Sequence, residues 1–474
     1  MLYYIGIYIK PIFTLLLKKN MTKYFFCGIG GLGMNPLALM LKDSGHEVVG
    51  SDRGYKKEAA DPVFTKLIQK GISLFPQDGS GIDKTIDRFV VSTAVEETVP
   101  DYKKALQLGI NVIKRPELLA DTINRSPDGF AVGGTSGKTT TTGIIGHLLK
   151  ELKKDPLIIN GGIMLNGNDS YFFGKGPVVA EADESNGTIE LYTPAYSVIT
   201  NISLDHKSLD ELYSLFKDFA AKTLNKVVVN ADNELTAKLA QTDNNGKIFT
   251  FGINNPKADF NAYDVKLHET SSEFTVNGVK YLINVGGKYN IQNFMAAISI
   301  LHLYGIPLSD MTAAAASFKG IKRRMEIVGE HKNITVIDDF AHNPDKISAV
   351  LKAVKPYTKG KLIAFFQPHG YAPTRMMKDG YINAFASNLD RRDVVIMPEI
   401  YYAGGYVVKD ISSKDLTDEI SRLGIKAEYF TDRKDIAPFI KEIAESGDKI
   451  LIMGARDMTL NDFAHSVFKE ISCQ

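Results

Sequence analysis

Phe130-Ala-Val-Gly-Gly-Thr-Ser-Gly-Lys-Thr-Thr140 is the stretch on which the fold turns: a short apolar strand enters a glycine-rich turn, and a helix leaves from Thr139. Glycines at 134 and 137 let backbone N–H groups face phosphate oxygens. Lys138 can reach terminal phosphates, and the Thr139 hydroxyl suits a magnesium ion. The spacing departs from the strict P-loop, whose first glycine would fall at Val132. An ordinary strand–helix turn is the plain alternative. The flanking strand and helix favour phosphate binding, which assigns Gly134, Thr135, Ser136, Gly137, Lys138, Thr139 and Thr140 to the loop.

C-terminal to this loop, Pro177–Ala182, Tyr196–Asn201 and Lys226–Asn230 read as buried strands. Residues 246–284 read as further strands with short turns, forming an antiparallel insert, and a helix over Ile291–Tyr304 closes the unit. Ligands of open α/β sheets bind beyond the carboxyl ends of the strands. Glu181-Ala-Asp-Glu-Ser185 stands at such an end, so Glu181 can hold magnesium, with Asp183 and Glu184 as neighbouring alternates. His206, closing Thr200-Asn-Ile-Ser-Leu-Asp-His206, would alone read as structural. Beside a phosphate loop and an acidic cluster it becomes a second metal ligand.

N-terminal to the loop, Lys23–Gly33 is a strand and glycine turn, Pro36–Ser44 a helix, and Glu47–Asp52 a second strand. The pattern Gly28-x-Gly-Gly-x-Gly33 with Asp52 is similar to a dinucleotide turn, although irregular in spacing. Either the helix N-terminus meets a diphosphate, or the glycines serve tight strand–helix packing. Beyond Met325 the strand–helix alternation resumes. Asp338-Asp-Phe-Ala-His-Asn-Pro344 would bring Asp339 and His342 to a cleft, and Gln367–Arg375 would add His369 and Arg375 as anion contacts. Pro and Gly in these loops are also ordinary turn formers.

Three successive strand–helix units predict an α/β protein of three domains. These are a Rossmann-like N-terminal domain (21–125), a P-loop central ATPase domain (126–324) and a Rossmann-like C-terminal domain (325–474). Residues 1–20 are apolar but broken by Lys10 and Pro11, too short for a membrane span, and read as an extension or a mis-assigned start before Met21. The net charge of +1 gives no electrostatic case for nucleic acid or an acidic membrane. Only Cys27 and Cys473 occur, far apart in sequence, so no disulfide framework is implied and a reducing compartment fits.

In this order the motifs resemble those of the Mur ligase family, from about Lys23 to Ala464. Gly28-Ile-Gly-Gly-Leu-Gly-Met34, Gly50-Ser-Asp52, Val91-Ser-Thr-Ala94 and Arg115-Pro-Glu-Leu-Leu119 resemble its N-terminal domain. Gly134–Thr142 resembles its ATP loop, and Glu181-Ala-Asp-Glu-Ser and Thr200 to His206 its magnesium motifs. Gly287-Lys-Tyr-Asn-Ile-Gln-Asn293 resembles its adenine-contacting segment and Gly320-Ile-Lys-Arg-Arg324 its interdomain linker.

The resemblance implies that a UDP-linked substrate meets Gly30, Gly31, Gly33, Asp52, Ser92, Thr93 and Arg115. It adds Asn290, Asn293, Arg324 and Asp339 to the ATP site, and places magnesium on Thr139, Glu181 and His206. Lys138, Glu181 and His206 would carry the catalysis. His342, Asn343, His369 and Arg375 would face the amino acid and phosphate.

The implied activity is ATP- and Mg2+-dependent amide formation between UDP-N-acetylmuramate and an amino acid, L-alanine first, in peptidoglycan precursor synthesis. The implied protein is cytoplasmic, a monomer or homodimer, without nucleic-acid partners or stable membrane insertion. Departures from the pattern at Tyr289, Phe340, Asn343, Gly370, Pro373 and Arg456 leave open another amino acid or a recycled peptide. Some members carbamylate a lysine, for which Lys222 is a loosely spaced candidate. A nicotinamide oxidoreductase would leave the 134–140 loop without a role, and a P-loop ATPase switch is the remaining alternative.

Overall fold

The computed structural model describes residues 21–57, 61–93, 95–184, 187–204, 207–243, 245–402, 408–457 and 459–473. The expectation for residues 1–20 lies outside them. Three sheets, each flanked by helices, give the α/β architecture expected.

The first sheet is wholly parallel, in the spatial order Ser73–Phe75, Glu47–Ser51, Lys23–Cys27, Arg88–Val91, Asn111–Lys114. The chain leaves Lys23–Cys27 toward one side and later returns to pair on its other side. That reversal opens a crevice at the strand's carboxyl end. The Gly28–Gly33 turn lies there.

The second sheet has ten strands, with Gly129–Gly133 inside it between Val178–Glu181 and Tyr196–Ile199, all parallel. Parallel strands are covered on both faces, which is why these segments are apolar throughout rather than alternating. The helix Lys138–Glu151 is buried from Thr140 to Leu149, packed against the sheet on one side and against the neighbouring helix Lys288–Leu303 on another. Gly143 and Gly146 permit this approach: a Cβ on Gly146 would stand 2.8 Å from Ile158. Such glycines cost the helix about 1 kcal/mol each relative to alanine.

The insert is partly different from expectation. Ile248–Ile253 continues the parallel sheet and pairs in parallel with Phe260–Leu267; only from there to Ser272–Val276 and Val279–Ile283 is the pairing antiparallel. The hairpin of Leu157–Met164 with Asp169–Phe172 adds an antiparallel edge that the sequence reading did not include.

The third sheet runs Glu326–His331, Ile334–Asp339, Lys449–Gly454, Leu362–Gln367, Val394–Pro398, Lys426–Phe430, antiparallel only at its first pair. Its carboxyl ends deliver Asp339, Gly454 and Gln367 to one edge. Across the first two units, Lys66 pairs with Asp169 and the Tyr171 hydroxyl donates to Asp43 at 3.1 Å. Lys449 pairs with Glu269 across the last two.

Candidate active site

The glycine loop is held open by the neighbouring strand end. The Thr135 hydroxyl donates to Asn201 Oδ1 at 2.6 Å, and the Ser136 N–H donates to the same oxygen at 3.0 Å. Asn201 Nδ2 and the Thr200 hydroxyl both donate to the Ser136 carbonyl, at 3.0 and 2.6 Å. Gly134 (φ 127°) and Gly137 (φ 86°) take backbone angles that side chains disfavour. The loop thus delivers Lys138 as the first residue of a buried helix, whose unpaired first-turn N–H groups face the loop mouth. Thr200 and Asn201 lay within a stretch read as a metal motif; their part as loop braces was not foreseen.

Lys138 is not free in this arrangement. Its ammonium donates to Glu184 at 2.7 Å and to the Gly134 carbonyl at 2.8 Å, with Asp183 at 4.0 Å. Burial pushes the Glu184 carboxyl above the usual carboxylate range, against the pull of Lys138. Burial also works against the Lys138 charge, but the acidic neighbours outweigh it and hold the ammonium above its ordinary value. Glu184 is therefore the lysine's counter-ion, which makes it a poor alternate metal ligand.

Glu181, at the end of its strand, accepts from the Gly161 N–H at 2.8 Å. Thr139 lies against Gly162, where an added Cβ would stand 2.8 Å from the threonine methyl. Glu181 and Thr139 thus flank the same Gly161–Gly162 segment. His206 lies outside the described residues. Among the described residues no group of three or more His, Cys, Asp or Glu side chains could hold a metal. Thr139 and Glu181 offer oxygen donors, the type that a hard divalent cation takes.

Asn293, on the helix Lys288–Leu303, packs against the loop. Its carboxamide oxygen accepts from Thr141 at 3.3 Å, and a Cβ on Gly137 would stand 2.5 Å from it. Asn290, one turn earlier, donates to the Gly286 carbonyl at 2.7 Å. Beyond it a cavity of about 220 Å³ separates the central and C-terminal units, bordered by Asn290, Gly286, Arg324, Met325, Tyr357 and Lys449.

Asp339 closes this side. Its two oxygens accept from the Met325 and Ala341 N–H groups at 2.8 and 2.7 Å, pinning the linker to the third sheet. Burial, against the Arg324 guanidinium and these N–H groups, pushes its carboxyl up to about 6. The Arg324 guanidinium lies 4.7 Å from the Phe340 ring centre.

A larger cavity of about 940 Å³ lies between the N-terminal and central units. Gly30, Gly31, Gly33, Asp52, Ser92 and Arg115 line one wall, with Asn160, Glu181 and Asp183 opposite; Thr93 is exposed and does not line it. Asp52 accepts from the Gly30 and Gly54 N–H groups at 2.9 and 2.8 Å, so its carboxylate shapes the glycine turn. Arg115 packs on Gly33, where a Cβ would stand 3.1 Å from its side chain. Glu181 borders both this cavity and the Gly161–Gly162 segment that faces Thr139.

The third unit's candidates separate. His342 Nδ1 lies 2.8 Å from the Phe340 carbonyl and Nε2 lies 3.3 Å from the Lys346 ammonium. An ammonium can only donate, so the network assigns the proton to Nδ1 and leaves the ring neutral. Desolvation, with Lys346 adding to it, holds His342 well below the usual imidazole range. The His369 ring is 5.7 Å from that of His342. Asn343 caps the helix Pro344–Val354 by accepting from the Lys346 N–H at 3.0 Å. Arg375 points to Asp410 rather than to this pair. Lys222 is exposed and donates to the Glu190 carbonyl at 2.8 Å.

A glycine loop at the centre of three α/β units, with one large cavity on its N-terminal side and a smaller one on its C-terminal side, is the arrangement of a Mur ligase, and the chain belongs to that family. The model described as "Mur ligase family, catalytic domain" matches residues 23–127. "Mur ligase middle domain" matches 132–301, and "Mur ligase, glutamate ligase domain" matches 323–456.

Among individual relatives, the UDP-N-acetylmuramate–L-alanine ligase of Fusobacterium nucleatum is 32% identical, over 96% of this chain and 98% of its own. That of a Sulfurihydrogenibium species is 34% identical, over 93% and 96%. The solved UDP-N-acetylmuramate-alanine ligase of Thermotoga maritima superposes with a TM-score of 0.77 at 28% identity, covering 95% of this chain and all of the other. No helix among the described residues is long and apolar enough to cross a membrane.

Proposed function

We propose that this chain joins an amino acid, L-alanine first, to the carboxylate of UDP-N-acetylmuramate at the expense of ATP, as a cytoplasmic step of peptidoglycan precursor synthesis. The observation that carries this reading is Glu181, which borders both the 940 Å³ cavity and the segment facing Thr139 of the phosphate loop. A carboxylate in that cavity would meet a terminal phosphate at the loop.

An unactivated carboxylate resists amines because its carbonyl is resonance-stabilised and lacks a leaving group. Transfer of the γ-phosphoryl group supplies one: a carboxylate oxygen bonds to phosphorus, the bond to the ADP oxygen breaks, and an acyl phosphate results. The amine nitrogen then attacks the acyl carbon, and phosphate departs with the C–O bonding pair while the nitrogen loses a proton. Lys138, released from Glu184, is positioned to offset charge on the transferring group. Thr139, Glu181 and His206 would hold Mg2+, whose charge serves the same end. Asn290, Asn293 and Arg324 would position the nucleotide, Asp339 the linker beside Arg324, and Gly30, Gly31, Gly33, Asp52, Ser92 and Arg115 the UDP portion, with Thr93 outside that cavity. His342 and His369 would face the amine side; Asn343, engaged as a helix cap, and Arg375, paired with Asp410, would not. Holding three reactants in register is the larger part of the work.

The test is ADP formation with UDP-N-acetylmuramate and a panel of amino acids and peptides. Turnover that requires both the sugar acid and L-alanine supports the reading. Turnover only with peptides, or ATP hydrolysis indifferent to either, overturns it.

A further inference from the structure

Asp101 is the second residue of the helix Pro100–Gln107, and its side chain is wholly buried. Buried aspartates normally have a cation beside them. Lys104, one turn along the same helix, donates instead to the Gly79 carbonyl at 2.8 Å. The two oxygens of Asp101 are taken by donors from two other segments: Oδ1 accepts from the Gly79 N–H at 2.6 Å, and Oδ2 accepts from the Ser51 hydroxyl. Burial pushes the carboxyl above its usual range, against the pull of these two donors. A carboxylate is costly to bury, and here hydrogen bonds rather than an ion pair offset the cost.

What those bonds hold is the wall of the large cavity. Ser51 ends the strand Glu47–Ser51, and its carbonyl accepts the Gly28 and Ile29 N–H groups at 2.8 and 3.0 Å, so it anchors the start of the glycine turn. Gly79 (φ 84°) lies two residues after Gln77, whose Nε2 donates to Cys27 Sγ at 3.2 Å, just before that turn. Gly28, Gln77 and Val99, the last two residues before Asp101, all line the cavity of about 940 Å³. One carboxylate therefore ties together three segments of that wall while itself standing behind it.

We propose that Asp101 is a positioning residue for the sugar-nucleotide substrate, acting through Ser51 on the glycine turn and through Gly79 on the turn that carries Gln77. The inference rests on the reading of this cavity as the UDP-N-acetylmuramate site and adds to it a residue that touches no substrate.

A positioning link and a merely structural one separate in a double-mutant cycle on binding. Ser51→Ala removes the hydroxyl but keeps the carbonyl that holds Gly28 and Ile29, and Asp101→Ala removes the carboxylate. Each is expected to weaken UDP-N-acetylmuramate binding in direct titration by about tenfold, and the double variant by no more than about tenfold, because both cut the same link. MgATP affinity stays unchanged in all three, which also shows that the chains titrated are folded. A lower melting temperature with unchanged UDP-N-acetylmuramate affinity overturns the proposal, since a structural bond alone gives that result. So do losses that multiply to about a hundredfold in the double variant, which mark two independent contacts. Should Asp101→Ala not fold, Ser51→Ala decides alone, and unchanged affinity there overturns the proposal. If the unaltered chain binds MgATP but no UDP-N-acetylmuramate, the reading of the cavity fails and takes the proposal with it, an outcome distinct from the others.

Discussion

The Lys138 ammonium sits 2.7 Å from the Glu184 carboxylate, and Glu184 is almost wholly buried. An incoming phosphate must displace a counter-ion that the chain already supplies. Breaking a buried pair by removing one partner typically costs 3–5 kcal/mol, because the other charge is stranded. Glu184→Gln should therefore melt lower without ligand and recover when MgATP supplies the missing negative charge. Its MgATP affinity should rise by about threefold to tenfold, while kcat falls because the lysine is less firmly placed. Melting curves with and without MgATP check the first outcome, and titration and turnover check the second. A variant that melts and binds as the unaltered chain does would remove Glu184 from the account.

Gly137 makes a sharper steric case. It combines φ 86° with the carboxamide oxygen of Asn293 only 2.5 Å from where a Cβ would stand. In Gly137→Ala either the loop or Asn293 must move, and both belong to the wall proposed for the nucleotide. The expected outcome is at least a hundredfold loss of MgATP affinity. The cavity proposed for the UDP-linked substrate, bounded by other residues, should keep its affinity. Parallel titrations with the two ligands decide it, and comparable losses for both would point to general misfolding instead.

Most of the parallel strands and the glycine loop before Lys138 were legible because buried parallel strands and glycine turns are local patterns that tertiary context does not disguise. The Leu157–Met164 hairpin was not. Gly161 and Gly162 interrupt its apolar run, and they are glycines because Glu181 and Thr139 press on them from elsewhere in the chain. Lys138 is evident from its loop, whereas in sequence its partner Glu184 reads only as an alternate metal ligand. Forty-six positions separate the two, and only the fold shows which acid of Glu181, Asp183 and Glu184 faces the ammonium. Asn343 and Arg375 fell within loops correctly placed at strand ends, yet one caps a helix and the other faces Asp410. Loop position is a sequence property; side-chain direction there depends on neighbours.

Asp52 separates the two substrate sites. Its two oxygens accept N–H groups from Gly30 and Gly54, an arrangement that a carboxylate satisfies and a carboxamide only half satisfies. Asp52→Asn presents an amino group to one donor and loosens the glycine turn. KM for UDP-N-acetylmuramate should rise about tenfold, with the MgATP dissociation constant unchanged. Initial-rate kinetics at saturating ATP, paired with ATP titration, measure both, and an unchanged KM for the sugar nucleotide would remove Asp52 from that site.

Acid stability should expose two opposed groups. His342 is held well below its ordinary 6.5 by desolvation and by Lys346. Its neutral form is what the fold favours, so its contribution is present above the ordinary imidazole value and is lost as pH falls through the depressed one. Asp339, pushed up to about 6 from 3.8, has the opposite sign: its contribution is complete below the ordinary carboxylate value and is lost as pH rises through about 6. On acidification from pH 7 to 4, protonation of Asp339 therefore offsets part of the penalty from His342. Asp339→Asn removes the offset and should steepen the acid loss of stability, whereas His342→Gln removes the penalty and should flatten it. Denaturant midpoints between pH 4 and 7 for the three chains test this, and identical slopes in all three would show that neither group is buried as described.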